Sequence, residues 1–276
     1  MLTIPAQLAG CSEIVLCTPP SKDGTVHPAI LFAASLCGVT QIFKAGGVQA
    51  IGAMAYGTES IPKVFKIFGP GNQYVTMAKQ LVQQEGTAID MPAGPSEVLI
   101  IADASADPAF VAADLLSQAE HGADSQVILL TPSAGLAGEV EKEVAKQLET
   151  LPRKEIAIKA LENSKTILLN NMAETIAFSN YYAPEHLILA CNDAVSLAEQ
   201  VTAAGSVFIG HYSPESAGDY ASGTNHTLPT NGFARAYSGV SLDSFVKKIT
   251  FQKISKEGLQ NIGKTVEVMS ANEELD

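Results

Sequence analysis

Apolar residues fall along the chain in short β-branched runs separated by longer stretches of helical periodicity. The runs EIVLC (13–17), QIFKA (41–45), KVFKIF (63–68), EVLIIAD (97–103), QVILLT (126–131), KTILLN (165–170), HLILAC (186–191) and SVFIG (206–210) read as strands. Most are continuous rather than alternating, the pattern of parallel strands covered on both faces. Between them, residues 28–37, 72–84, 107–121, 136–149 and 193–203 carry helical spacing. Strand-helix repetition of this kind predicts an α/β fold with mostly parallel sheets. Pro92, Gly94 and Pro95 interrupt it at AIDMPAGPSE (88–97), dividing a first lobe over 1–96 from a second over 97–240. A charged helical tail follows over 241–276.

Composition supports that division. At 276 residues and 46% hydrophobic, the chain exceeds one small domain and suits two of roughly 100–140 residues. A net charge of −12, with 17 basic against 29 acidic residues and no basic run, excludes nucleic acid and acidic membrane surfaces as partners. Cys11, Cys17, Cys37 and Cys191 form no CxxC pair, and no signal peptide is expected before them. Reduced thiols in a cytoplasmic protein are the expected reading. No stretch approaches the roughly 20 apolar residues of a membrane helix. The chain begins within an apolar helical pattern stopped by Gly10 and ends at NEELD without a stop signal.

Candidate chemistry gathers in the second lobe. Asp107-Pro108 predicts a helix start and Gly122 its stop, which puts Asp114, Gln118 and His121 at i, i+4 and i+7 on one face. A histidine near a helix end also suits the helix dipole, and glutamine is an uncommon zinc ligand, so Gln118 and His121 alone are a weak metal signal. In YYAPEHLIL (181–189), Glu185 and His186 stand at the entrance to a strand as a pair suited to successive proton transfers. SPESAGDYASGTNHTLPTNG (213–232) reads as a long ligand loop holding Asp219 and His226. His27 and His211 read as ordinary surface or loop histidines. The inventory suits a mononuclear zinc site with an open position beside an acid–base pair.

A nucleotide site is harder to read. IFGPGNQY (67–74) sets Gly69 and Gly71 in a turn capped by Asn72, with Asp90 where a ribose acid would stand. Tyr74 holds the third glycine's place, so the dinucleotide fingerprint fails. KAGGVQAIGAMAYG (44–57) offers a second glycine turn with Gln49. Two readings stay open on the residues: a zinc hydrolase with Glu185 activating water, and a small-molecule binding module of two α/β lobes.

The run IDMPAGPSEVLIIADASADPAFVAADLLSQAEHG (89–122) resembles the signature of the histidinol dehydrogenase family. AGGVQA, FGPGN, APEHL and SPESAGDYASGTNHTLPT follow the family's order over essentially the whole chain. The resemblance implies a zinc- and NAD-dependent homodimer with shared active sites, oxidising L-histidinol through L-histidinal to L-histidine. It implies Gln118, His121 and Asp219 as zinc ligands and Glu185 and His186 as the catalytic pair. It further implies Ser96, His226 and Glu273, with Gln118, His121, His186 and Asp219, as substrate contacts, and Gln49 and Asn72 on the NAD side. In the family an NAD-site tyrosine precedes the point where this chain starts, and a fourth, cross-dimer zinc histidine lies just past its end, so the chain is expected to be truncated at both ends. The expected architecture is two Rossmann-like lobes with mostly parallel sheets and a short helical C-terminal tail.

Overall fold

The computed structural model describes residues 1–275. Met1–Phe245 forms one compact unit and a second begins at Val246. The first unit opens with α1 (Thr3–Leu8), β1 (Val15–Cys17), α2 (Pro28–Leu36), β2 (Gln41–Phe43), α3 (Gly47–Tyr56), β3 (Lys66–Ile67), α4 (Gln73–Gln84) and β4 (Ala88–Ile89). It continues through β5 (Glu97–Ala102), α5 (Pro108–Ala119), β6 (Gln126–Thr131), α6 (Ala134–Leu148), α7 (Lys154–Glu162), β7 (Lys165–Leu168), α8 (Met172–Tyr182), β8 (His186–Ala190), α9 (Ala194–Ala198), β9 (Ser206–Ile209) and α10 (Glu215–Tyr220). Every strand pairing among the described residues is parallel, so the fold is α/β as the continuous apolar runs predict.

Five strands make one sheet in the order β7-β6-β5-β8-β9. Its centre is β5, whose six residues are all buried. Strand periodicity sorts them between two cores. Val98, Ile100 and Ala102 pack with Val111 and Leu115 of α5, Val140 of α6 and Ala157 of α7. Leu99 and Ile101 pack on the other face with Ile176 of α8 and Leu197 of α9. Each large apolar side chain buried here contributes about 1.5–3 kcal/mol, which makes this sheet the stable frame of the molecule.

Residues 1–96 hold shorter pairings. Strands β1 and β2 form one two-stranded sheet and β3 and β4 another. KVFKIF yields only the two strand residues of β3, and β4 lies in the segment read as a break. GVQAIGAMAY forms α3, entered through the glycine turn at Gly46 and Gly47. Ile51 and Ala55 of α3, Ala78 and Val82 of α4, Ile67 and Ile89 build a separate small core. His27 acts locally, its Nδ1 accepting the Ala29 N–H at 3.2 Å to cap α2.

The second unit carries α11 (Lys256–Asn272), capped by Ser255 and with no buried residue. Leu259, Ile262, Val266 and Met269 are exposed along it at helical spacing. No helix among the described residues is long and apolar enough to cross a membrane.

Candidate active site

Helix α8 ends at Ala183, a fully buried alanine in the left-handed conformation (φ 57°) that turns the chain into Pro184-Glu185-His186. Such backbone is costly away from glycine and is held by its surroundings. Here Ala183 N–H donates to the Ser179 carbonyl at 2.8 Å. Next door, a Cβ on Gly205 would stand 2.6 Å from the Glu185 carbonyl oxygen, so only glycine lets the entry to β9 pass so close.

His186 opens β8 with Glu185 immediately before it, beside Glu97 at the first position of β5. The site therefore lies at the amino-terminal edge of the sheet. The usual crevice of doubly wound folds is at the carboxyl ends. The peptide of Glu97 orients both members of the pair: its N–H donates to Glu185 Oε2 at 2.9 Å, and its carbonyl faces His186 Nδ1 at 3.1 Å. A carbonyl can only accept, so Nδ1 carries the proton and Nε2 keeps a free lone pair. Nε2 is buried and has no hydrogen-bond partner. Its nearest acidic neighbour is Glu215 Oε1, 3.9 Å away and also unpartnered.

Glu215 is a site residue that the sequence reading does not single out. The segment read as a ligand loop over 213–232 contains α10, which sets Glu215 and Asp219 four residues apart on one face. Ligand atoms of His186, Glu215 and Asp219 lie within 4.8 Å of one another. Glu215 Oε2 reaches Ser117 Oγ of α5 at 3.4 Å, and on the same helix Gln118 is 1% exposed with both side-chain amide atoms unpartnered. An orphaned buried amide costs about 1–3 kcal/mol. Orphans on Gln118, His186 and Glu215 fit a site that holds a polar ligand or a metal ion.

Helix α5 stops earlier than the sequence predicts. It ends at Ala119 with Glu120 as an ordinary right-handed cap, and Gly122 has no positive φ. His121 thus lies in the turn beyond the helix, exposed, its N–H on the Gln118 carbonyl at 3.2 Å. His121 and His226, exposed in its loop, both lie close enough to disfavour a charge on His186. Ser96 is half-buried at the start of β5, its carbonyl accepting from Gln126 N–H at 3.2 Å. Gln49 is exposed on α3, and Asn72 caps α4 by accepting the Tyr74 and Val75 N–H groups at 3.1 Å. Glu273 caps the end of α11 in the second unit. Asp90 is unavailable to a ribose, because its side chain is fully buried against Lys79. His211 is more embedded than its loop suggests, with Nε2 3.3 Å from Ser105 Oγ.

Burial governs the site's protonation. It drives Glu185 well above the ordinary carboxyl range, and the charges of Glu97, Glu215 and Asp219 push the same way. It holds His186 down at about 4, against the Glu97 carbonyl, which favours the protonated ring. The 3.6 Å approach of His186 Nδ1 to Glu185 Oε2 is longer than its 3.1 Å bond to the Glu97 carbonyl, which is the contact that orients the ring. Burial, then the charge of Asp219, raises Glu215 to about 8, and burial raises Glu97 to about 7.

These shifts carry a sign for stability. A carboxyl raised in the folded state stabilises fully below its unfolded value of 4.5 and loses that contribution as pH rises toward the folded value. His186 acts oppositely, its contribution present above 6.5 and lost as pH falls toward about 4. Above 6.5 the histidine no longer opposes the carboxyls, so with a chelator present the unfolding midpoint falls between pH 6.5 and 8. Scanning calorimetry at the two pH values checks this, and a level or rising midpoint contradicts buried neutral carboxyls.

A family model described as histidinol dehydrogenase matches residues 1–276. The chain is 68% identical over 276 residues to the histidinol dehydrogenase of Bacteroides thetaiotaomicron, covering 100% of this chain and 64% of that protein. It is 58% identical over 279 residues to the chloroplastic histidinol dehydrogenase of Arabidopsis thaliana, covering 100% of this chain and 60% of that one. The crystal structure of histidinol dehydrogenase from Elizabethkingia anophelis superposes with a TM-score of 0.97 at 65% identity, over 100% of this chain and 64% of that chain. At 12% identity and a TM-score of 0.53, a probable aldehyde dehydrogenase from Listeria monocytogenes EGD-e shares the fold, over 88% of this chain and 70% of that one. The chain spans just under two thirds of the curated histidinol dehydrogenases it matches.

Proposed function

Because the chain belongs to the histidinol dehydrogenase family, we propose that it forms the core of an NAD-dependent, zinc-containing dehydrogenase taking L-histidinol through L-histidinal to L-histidine. The observation that carries this reading is the free Nε2 of His186, a buried base locked in one tautomer and turned toward the acidic side chains of α10. A neutral imidazole so held is ready to take a hydroxyl proton. Glu185, oriented by the Glu97 N–H, is placed to draw a proton from water in the second oxidation.

Gln118, His121 and Asp219 would hold the zinc, a set of one nitrogen and two oxygen donors acceptable to that ion. Zinc, when bound, supplies positive charge that polarises the substrate and favours ionised carboxylates nearby. Ser96 and His226 would contact the substrate, Glu273 would be supplied to the partner subunit's substrate site, and Gln49 and Asn72 would contact the NAD. In this reading residues 1–96 serve the cofactor, 97–240 carry the zinc and catalytic residues, and 241–276 form the tail. A homodimer with shared sites, working in the cytoplasm, completes the proposal.

The test follows absorbance at the reduced-nicotinamide band with histidinol and NAD, in a form extended to the length of the relatives. Two NADH per histidinol consumed are expected. Zinc-dependent hydrolysis of esters or amides without NAD reduction would replace this reading.

A further inference from the structure

A second set of buried charges lies outside the acid–base site, between α4 and β4. Lys79 is 2% exposed and Asp90 0%. Lysine is almost never so buried unless paired. The ammonium donates to the Gly69 carbonyl at 2.9 Å, the Met91 carbonyl at 3.2 Å and Asp90 Oδ1. The carboxylate in turn accepts the Gly69 N–H at 2.7 Å on Oδ2 and the Met91 N–H at 2.8 Å on Oδ1. Apart from each other, the two charges bond only to backbone, and that backbone belongs to the turn Gly69–Asn72 and the segment after β4.

A buried pair adds little stability over apolar residues of the same volume, and its best-attested use is to specify one geometry. What is specified here is the conformation at Gly69, whose φ of 119° is open to glycine. The cap bonds engage Asn72 Oδ1 and leave its amide nitrogen out of the cap.

The turn is also joined to the acid–base pair by successive contacts. The Gly71 carbonyl oxygen stands 2.6 Å from where a Cβ on Gly94 would be, so the two backbones are in direct apposition. Gly94 N–H donates to Thr230 Oγ1 at 2.8 Å, and Asn231 Nδ2 donates to the Gly94 carbonyl at 2.7 Å. Asn231 N–H donates to Glu97 Oε1, and Glu97 N–H to Glu185 Oε2.

We propose that the buried Lys79–Asp90 pair is a positioning device for NAD. It fixes the turn Gly69–Asn72 where the dinucleotide meets it, in register with Glu185 and His186. This rests on the reading above that Asn72 lies on the NAD side.

The experiment uses a form extended to the length of the relatives, with NAD binding followed through the amide signals of Gly69, Gly71 and Asn72. Asn72→Ala tests the underlying reading, and the double substitution Lys79→Met with Asp90→Leu tests the device. The double substitution is preferred because Asp90→Asn alone leaves a buried ammonium unpaired and endangers folding. The proposal expects the doubly substituted chain to unfold within a few degrees of the unsubstituted one. Its turn signals shift, and its Kd for NAD rises at least tenfold. An unchanged Kd in the double variant, with Asn72→Ala weakening NAD binding, overturns the device and leaves the NAD reading standing. If neither substitution alters binding, or the unsubstituted chain shows no NAD-dependent shift at these amides, the NAD reading of the turn fails and the device with it.

Discussion

Glu185→Gln slows oxidation of the aldehyde more than oxidation of the alcohol, in a form extended to the length of the relatives, and His186→Asn slows alcohol oxidation at least as much as aldehyde oxidation. The expected losses are about 10²–10⁴-fold, the usual cost of removing a general base. Geometry separates the two roles. His186 has one nitrogen bound to the Glu97 carbonyl and the other free, which makes it an acceptor for a single proton from a bound hydroxyl. Asparagine keeps a donor for the Glu97 carbonyl but offers no comparable base. Glu185 has one oxygen engaged by the Glu97 N–H, and only a carboxylate, not an amide, can draw a proton from water there. Initial rates with histidinol and with histidinal resolve the two half-reactions. Equal losses in both for both variants would remove the division of labour.

The parts of the fold visible in the sequence are those where local signal and burial agree. QVILLT forms β6 over the same six residues, and EVLIIA forms β5, because a strand covered on both faces carries a continuous apolar run between its ends. Asp107-Pro108 starts α5 as its capping chemistry demands, with Asp107 accepting the Ala109 N–H at 2.8 Å. Tertiary contacts overrule local signals elsewhere. ESAGDY is too short and polar to read as a helix, which hides α10 and Glu215, although two acids four residues apart just after a strand are an available hint. Lys79 reads as a surface charge until its spacing is noticed: with Val75, Ala78 and Val82 it occupies the i, i+3, i+4 and i+7 face of α4, where the neighbours are apolar. Spacing places His121 on the helix because it does not register that the chain leaves α5 two residues earlier. The pairing of Asp90 with Lys79, eleven residues apart, depends on where two turns meet, and no pattern along the chain encodes it.

Gln118→Leu separates a structural glutamine from a ligand. The side chain is 1% exposed on α5, and neither its oxygen nor its nitrogen has a partner. A glutamine kept for folding would be hydrogen-bonded, because a buried orphan loses its solvation without return, at about 1–3 kcal/mol. Leucine is similar in size and brings no polar atom. With a chelator present, the leucine variant is therefore expected to be as stable as the unsubstituted chain or more stable, by up to about 1–3 kcal/mol. Zinc should reverse the ranking. A metal that binds only the folded chain adds about 2.7 kcal/mol at a hundredfold excess over its Kd, and loss of one donor should remove most of that increment. Ser179→Ala is the control: Ser179 Oγ is likewise buried and unpartnered, but it lies on α8 outside the candidate metal site. It should change stability without touching the zinc increment. Chemical denaturation of the three forms, with and without zinc, reads both quantities. If Gln118→Leu loses more than about 3 kcal/mol in the chelator, beyond the range of most substitutions, the glutamine is structural. If the zinc increment survives intact, Gln118 is no ligand. Either result leaves the metal to His121 and the acidic pair of α10, Glu215 and Asp219.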